Sequence, residues 1–259
     1  MPNIRPDRPK PRLDTTLVKG LTILETLAAS EVPLGISALS DQLGLGKSNI
    51  HRLLATLIHL GFIRQEAATR RYSPTFLAWE IGSAVVERNA LRRAARPVLH
   101  DLRAASGETT YLATLSGVDI LYLDKVDGPY GIRSASRAGL RVPAVYTASG
   151  KMLLAMRPNH ESVVDRAIAE LGEAAQFDRA SVLAELQKIS REGFATSSSG
   201  WTQGVISVAV PIDNGRHPVS AAIGCAVPAS HWKKRRLASL VSQMRAGAAR
   251  IADTLELER

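Results

Sequence analysis

The sequence predicts an α+β protein in two parts: a small helical unit with a short hairpin, and a larger unit built on an antiparallel sheet with helices packed on it. Three observations carry that expectation. Residues 36–57 read as two short helices around a glycine turn, β-rich runs come in two adjacent pairs with helical segments between them, and 259 residues exceed what one small module needs.

Residues 1–13 are proline-punctuated and basic, so a disordered tail is expected there, able at most to touch phosphates nonspecifically. Val18, Leu21, Ile23, Leu24, Leu27 and Ala28 form a first amphipathic helix, and Pro33 and Gly35 mark the break after it. Ser37, near the start of the second helix, is placed to cap it or to contact a phosphate. In the third helix Ile50, Leu53, Leu54 and Leu57 recur at i, i+3, i+4, i+7, an apolar stripe that must face a core. Its other face carries Ser48, Asn49, Arg52, Ala55 and Thr56, and no carboxylate stands between Asp41 and Glu66. Core packing explains the stripe, whereas small and hydrogen-bonding residues free of acid suit base edges in a major groove.

After Gly61, Phe62–Glu66 and Arg71–Ser73 are strand-like pieces around residues 67–70, a hairpin wing that puts Arg70 and Arg71 within reach of a DNA backbone or minor groove. Three helices and a wing make a winged helix-turn-helix. Its candidate DNA-binding residues are Ser37, Lys47, Ser48, Asn49, His51, Arg52, Thr56, Arg70 and Arg71.

From Thr75 a helical pattern through Leu77, Ile81, Ala84 and Val85 runs to about Arg88, and a second runs through Leu99 and Leu102 to Gly107. The first is a linker helix. Thr109–Ser116 with Asp119–Val126, and Val205–Ile212 with Val219–Val227, read as strand pairs, and helical segments lie near Ser149–Met156, Glu161–Leu171 and Arg179–Arg191. A last helix spans about His231 to Leu257. Without regular βαβ alternation the sheet should be antiparallel. The expected division is tail 1–13, winged helix-turn-helix 14–74, linker helix 75–90 and sheet domain 91–259.

The net charge of +9 suits a polyanionic partner, but residues 1–88 carry 11 Lys and Arg against 8 Asp and Glu, leaving most of the excess beyond the reading head. One cysteine, Cys225, excludes a disulfide framework and a thiolate metal cluster. No secretory or membrane-spanning stretch is evident, so a cytoplasmic protein with no membrane partner is expected.

Thr147-Ala-Ser-Gly150 precedes an apolar helix, where free backbone N–H groups and the helix dipole favour an anion, a carboxylate above all. The alternative is that Thr147 and Ser149 simply cap the helix. Gly46-Lys-Ser48 fails as a phosphate-binding loop, since Asp41 stands where a glycine is needed and a helix precedes it. Ser149-Gly-Lys151 lacks an independently indicated orienting group or oxyanion hole for nucleophilic catalysis. His51 and His59 lie too far apart to share a metal, Cys225 sits in an apolar strand, and Lys233–Arg236 reads as a solvated or intersubunit face.

Three separated segments resemble the IclR family of bacterial transcriptional regulators. They are Leu45-Gly-Lys-Ser-Asn-Ile-His-Arg-Leu-Leu-Ala-Thr-Leu57, the run from Arg133 through Val142-Pro-Ala-Val-Tyr-Thr-Ala-Ser-Gly150 to Ala155, and Gly193-Phe-Ala195 followed by Gly204-Val-Ile-Ser-Val-Ala-Val-Pro211. The resemblance implies a winged helix-turn-helix joined by a linker helix to a GAF-like effector domain. It also implies a homodimer or homotetramer on a double-stranded DNA operator, a small organic acid effector, and neither cofactor nor metal. Carried over residue by residue, the effector site falls on Gly131, Ser134, Val142, Tyr146, Ala148, Ser149, Gly150, Ser197, Ser207, Gly224 and Ala226.

Two segments depart from the family pattern: Ser197-Ser-Ser-Gly200 replaces an acidic run, and Gly224-Cys-Ala-Val227 replaces Ser-x-Ser-Gly. Both changes suggest an enlarged, less polar pocket, hence an aromatic carboxylate on which Tyr111, Tyr130 and Tyr146 would close. The rival class is a small-molecule-processing enzyme with an appended helix-turn-helix.

Overall fold

The computed structural model describes residues 13–129, 137–172, 177–198, 201–213 and 219–257, which fall into two compact units divided between Val85 and Val86. In the first unit, α1 (Thr15–Ala29) is capped by Asp14, whose carboxylate accepts from the N–H groups of Thr16 and Leu17. The predicted apolar positions of α1 divide between two surfaces: Ile23 and Leu27 are buried, whereas Val18 and Leu21 are exposed, as is Leu17 beside them. α2 (Ile36–Leu43) and α3 (Lys47–His59) meet across Gly44, whose φ of 63° closes α2 in the left-handed conformation that glycine adopts freely.

Ile50, Leu53, Leu54 and Leu57 of α3 are buried against Ile23, Leu27 and Leu39. The 3.6-residue period thus turned one face inward. β1 (Ile63–Gln65) and β2 (Tyr72–Pro74) form the wing hairpin. Leu34, in the break between α1 and α2, exchanges both backbone hydrogen bonds with Tyr72, pinning the wing to the helices. α4 (Leu77–Glu87) follows, and none of its residues is buried.

The second unit is a six-stranded antiparallel sheet in the order β5-β4-β3-β8-β7-β6, covered by helices on both faces. Its strands are β3 (Thr109–Ser116), β4 (Asp119–Val126), β5 (Arg141–Pro143), β6 (Ala195–Ser198), β7 (Val205–Ile212) and β8 (Ala221–Pro228). The two short edge strands, β5 and β6, did not stand out in the sequence because three or four residues carry too little alternation to read.

On one face α5 (Ala90–Ser106) and α9 (Leu237–Leu257) bury Val98, Leu99, Met244 and Ile251 against Leu112, Val208, Ile223 and Cys225. Gly247 lets these helices approach, since a Cβ there would lie 2.8 Å from Val98. The last helix begins at Leu237 rather than His231, because Lys234–Arg236 form a separate 3-10 turn.

On the other face lie α6 (Ala148–Ala155), α7 (His160–Leu171) and α8 (Arg179–Glu192). Here the central strands present Ala209, Ala222, Gly224 and Ala226, small residues that let the fully buried α6 sit close. β8 is buried along its whole length, as a strand covered on both sides must be. α6 also folds tightly against the turn before it, where any Cβ at Gly150 would run into the carbonyl oxygen and Cα of Ala144. Gly150→Ala should therefore destabilise the second unit by about 1–3 kcal/mol through overpacking. Urea denaturation followed by far-UV circular dichroism reads this as a lower midpoint.

Candidate functional sites

α3 turns Lys47, Ser48, His51, Arg52, Ala55 and Thr56 to solvent, with Asn49 half-buried at its first turn. The predicted face is therefore presented, with two adjustments. Thr56 Oγ1 donates to the Arg52 carbonyl at 3.2 Å, so its hydroxyl is engaged by its own helix. Ser37 does not cap α2: the N-cap is Gly35, with no side-chain cap, and Ser37 is left exposed in the first turn.

The wing carries a backbone feature the sequence did not announce. Arg70 has φ of 57°, the one non-glycine residue at positive φ among those described. The tight turn holds it there: its N–H donates to Glu66 O at 2.9 Å and its carbonyl accepts from Gln65 Nε2 at 3.0 Å. A side chain in this region costs about 1–2 kcal/mol, which glycine avoids. Arg70 and Arg71 are both exposed.

In the second unit, sheet register gathers residues far apart in sequence. Ser197 on β6 lies opposite Ser207 on β7, which lies opposite Ala226 on β8. In the next row Ala209 lies opposite Gly224, which lies opposite Tyr111 on β3. Ser197 Oγ donates to the Tyr146 carbonyl at 3.2 Å, tying the edge strand to the turn before α6. Beside these residues is a cavity of about 30 Å³ lined by Tyr111, Tyr122, Tyr146, Thr147, Ser197, Trp201, Thr202, Val205, Ser207 and Ala226. A wider cleft of about 630 Å³ lies on the other side of Tyr146 and Ser197, toward Phe177, Glu185 and Trp232.

Of the two readings of Thr147-Ala-Ser-Gly150, capping is the one seen, for Thr147. Thr147 Oγ1 caps α6 by accepting from Gly150 N at 3.0 Å. Gly150 is thus excluded as an anion ligand, and its lack of a side chain is required by Ala144 instead. The helix supplies no carbonyl for the N–H groups of Ala148 and Ser149. Ser149 is fully buried, and its Oγ finds no hydrogen-bond partner among the described residues.

The premise of a pocket opened by Gly224 needs correction. The Tyr111 ring lies over Gly224 so closely that a Cβ would run into it, so that space is already filled. Tyr111 is 2% exposed and meets Tyr122 edge-on with ring centroids 5.2 Å apart. Burial pushes its hydroxyl up to about 12, opposed most by the Ser207 hydroxyl beside it, while Ser149 Oγ lies near without meeting hydrogen-bond geometry. Val142 is packed in the core on β5 and does not line the cavity, and neither do the predicted residues Ala148, Ser149, Gly150 and Gly224, so of the predicted effector-site residues that are described only Tyr146, Ser197, Ser207 and Ala226 do. Gly131, Ser134 and Tyr130 lie outside the described residues.

Tyr122, Trp201, Thr202 and Val205 escaped the sequence reading. Only Tyr122 had a local signal, its alternation with Ile120, and that signal does not say which face the strand turns to α6.

Other chemistry finds little support. Lys151 Nζ is bound to Glu185 at 2.7 and 3.0 Å, so it does not serve Ser149 as a base. Among the described residues no group of three or more His, Cys, Asp or Glu is placed to hold a metal ion. Burial pushes the Cys225 thiol up to about 12, away from the reactive thiolate. No described helix is long and apolar enough to cross a membrane.

Residues 16–67 match the family profile described as the IclR helix-turn-helix domain, and residues 83–253 match that of the bacterial transcriptional regulator IclR C-terminal domain. The chain belongs to the IclR family. It is 28% identical over 247 residues to the HTH-type transcriptional regulator KdgR of Escherichia coli (strain K12), an alignment covering 92% of this chain and 91% of that protein. It is 31% identical over 242 residues to the probable transcriptional regulator SauR of Cupriavidus necator, covering 92% of this chain and 95% of that one.

Among solved structures, an IclR family regulator from Brucella abortus superposes with a TM-score of 0.79 at 22% identity, covering 96% of this chain and 95% of that one. An IclR homologue from Microbacterium hydrocarbonoxydans complexed with 4-hydroxybenzoate gives 0.75 at 22%, covering 93% and 99%. This IclR-family chain is accordingly a helix-turn-helix transcriptional regulator with a small-molecule effector domain.

Replacing Arg70 by glycine should raise the stability of the first unit by about 0.5–1 kcal/mol, the relieved strain exceeding glycine's entropic cost. Urea titration checks this, with Arg70→Ala, which keeps the strain, as the control expected to show no gain.

Proposed function

We propose that this IclR-family regulator reads a double-stranded DNA operator with α3 and answers to a small organic acid held beside α6. The observation that carries the DNA reading is the solvent face of α3, where Lys47, Ser48, Asn49, His51 and Arg52 stand without a carboxylate on a helix whose other side is locked into a core. Arg52 and Asn49 are the base-reading candidates, with Ser48 and Thr56 beside them. Lys47, Ser37, Arg70 and Arg71 are assigned to phosphates. The positive φ at Arg70 supports its role, since strain in a binding loop is retained where the side chain has work to do. The proposed division remains winged helix-turn-helix at 14–74, linker at 75–90 and a GAF-like effector domain at 91–259.

For the effector site, the buried Ser149 hydroxyl and the N-terminal end of α6 favour a carboxylate, with Ala148 contributing a backbone N–H. Ser197, Ser207, Ala226 and Tyr146 rim the place. The finer reading is an aromatic carboxylate, taken up only with displacement of the Tyr111 ring. Its support is the aromatic lining and the solved family member that carries 4-hydroxybenzoate. Such a ring would need the volume over Gly224 that Tyr111 fills.

A homodimer belongs to the same reading, because a helix reading a few base pairs gains useful specificity from two half-sites. Phe76 and Trp79 of the segment leading into and forming α4 are 80% and 70% exposed, and Leu17 and Leu21 of α1 are exposed too, apolar surface that a second copy would cover. A homotetramer would add a second pairing through the effector domains.

Arg52→Ala should weaken specific operator binding by about 1–3 kcal/mol and leave the fold intact. Fluorescence anisotropy against operator and scrambled duplexes decides the role: equal weakening on both makes Arg52 a phosphate contact, and no weakening removes it from the interface. Trp79→Asp should weaken self-association by about 2 kcal/mol or more, as loss of a buried aromatic anchor does. Sedimentation velocity across a concentration series reads this as a shift toward monomer.

A further inference from the structure

We propose that Tyr111 decides which acids the effector site accepts, because its phenol ring fills, over Gly224, the volume that the ring of an aromatic effector would take. The inference rests on the acid-effector reading of this site. Tyr111 and Gly224 face each other in the register of β3 and β8, and a Cβ at position 224 would run into the ring. The pair is matched: the glycine is what lets the ring lie flat on the sheet. Tyr122, edge-on at 5.2 Å, holds the ring from the β4 side.

What remains is small. The cavity left beside the ring measures about 30 Å³, whereas a cavity of roughly 150 Å³ admits benzene. With the ring in place, the site suits a short carboxylate. The Tyr111 hydroxyl, protonated at neutral pH like any tyrosine, is a donor for such a guest, next to Ser207 and the unpartnered Ser149. With the ring gone, the floor is Gly224 flanked by Ala222 and Ala226, an apolar bed of ring dimensions below the same hydroxyls. An aromatic acid and the Tyr111 ring are therefore alternative occupants of one space. The competing account is that Tyr111 only shields a glycine across the strands, which predicts lost stability in its absence and no change in ligand choice.

The test titrates wild type, Tyr111→Ala and Tyr111→Leu with sodium benzoate and with sodium pyruvate by isothermal calorimetry. Operator binding and near-UV circular dichroism identify folded variants, and leucine keeps an apolar side chain in the core should alanine fail to fold. Benzoate should bind the folded variants at least tenfold more tightly than wild type, while pyruvate gains nothing. If either acid binds wild type but benzoate gains nothing in the folded variants, the Tyr111 assignment is overturned while the acid-effector reading stands, with the ring lodged elsewhere, as in the wider cleft beside Phe177. Absence of binding by either acid to all three proteins overturns that reading and the assignment together.

Discussion

The second unit depends on how closely α6 is pressed to the sheet. Two close approaches on this side leave no room for a side chain: a Cβ at Gly150 would strike Ala144 in the turn before α6, and one at Gly224 would strike the Tyr111 ring on the neighbouring strand. Dense packing ordinarily closes such a space with apolar atoms. Here it brings the start of a helix inside the protein, and a helix start carries N–H groups with no carbonyl to meet. Thr147 satisfies one of them, at Gly150. Ala148 and Ser149 follow, and the serine hydroxyl is likewise buried without a partner among the described residues. The same packing that stabilises the domain thus creates a polar end in dry surroundings, where an anion gains more than it would in water.

The reading head is organised by a different balance. Its core is small, nine buried residues, with Ile50, Leu53, Leu54 and Leu57 supplying four of them, so α3 is fixed in rotation by its own stripe. That rotation leaves Ser48, His51 and Arg52 no choice but solvent. The backbone exchange between Leu34 and Tyr72 ties the hairpin to the helical part, which a free hairpin of this size would need in order to hold its shape. Phe76 and Trp79 are exposed, apolar surface that the proposed second copy would cover.

Much of this was legible along the chain. The period of α3, the glycine turn before it, and strands β3, β4 and β7 could be placed because each carries its signal within a few adjacent residues. Edge strands β5 and β6 were missed for want of length. The reading of Gly224 as open space failed for an instructive reason: a small residue shows what it does not fill, and says nothing of what its cross-strand neighbour does fill. Likewise Gly150 was legible as part of a helix start, but its actual task, clearance from Ala144, involves a backbone that sequence does not locate.

By itself the sequence determined the helix-turn-helix and the face of α3 turned outward, because local periodicity is a property of neighbouring residues, and three motif segments carried the family resemblance. Only the tertiary structure decided which residues meet at the proposed effector site. Ser197, Ser207 and Ala226 become neighbours through hydrogen-bond register between three strands. A register shift between Leu112 and Ala113 gives β4 an extra residue, and Tyr122 packs on Tyr111 while Asp124, two positions on, pairs with Arg92 and Arg96 of α5. Strict alternation would have put both on one face. Pairing between distant strands sets these contacts, and a chain read one residue at a time carries no record of which strand will lie beside which, or with what offset.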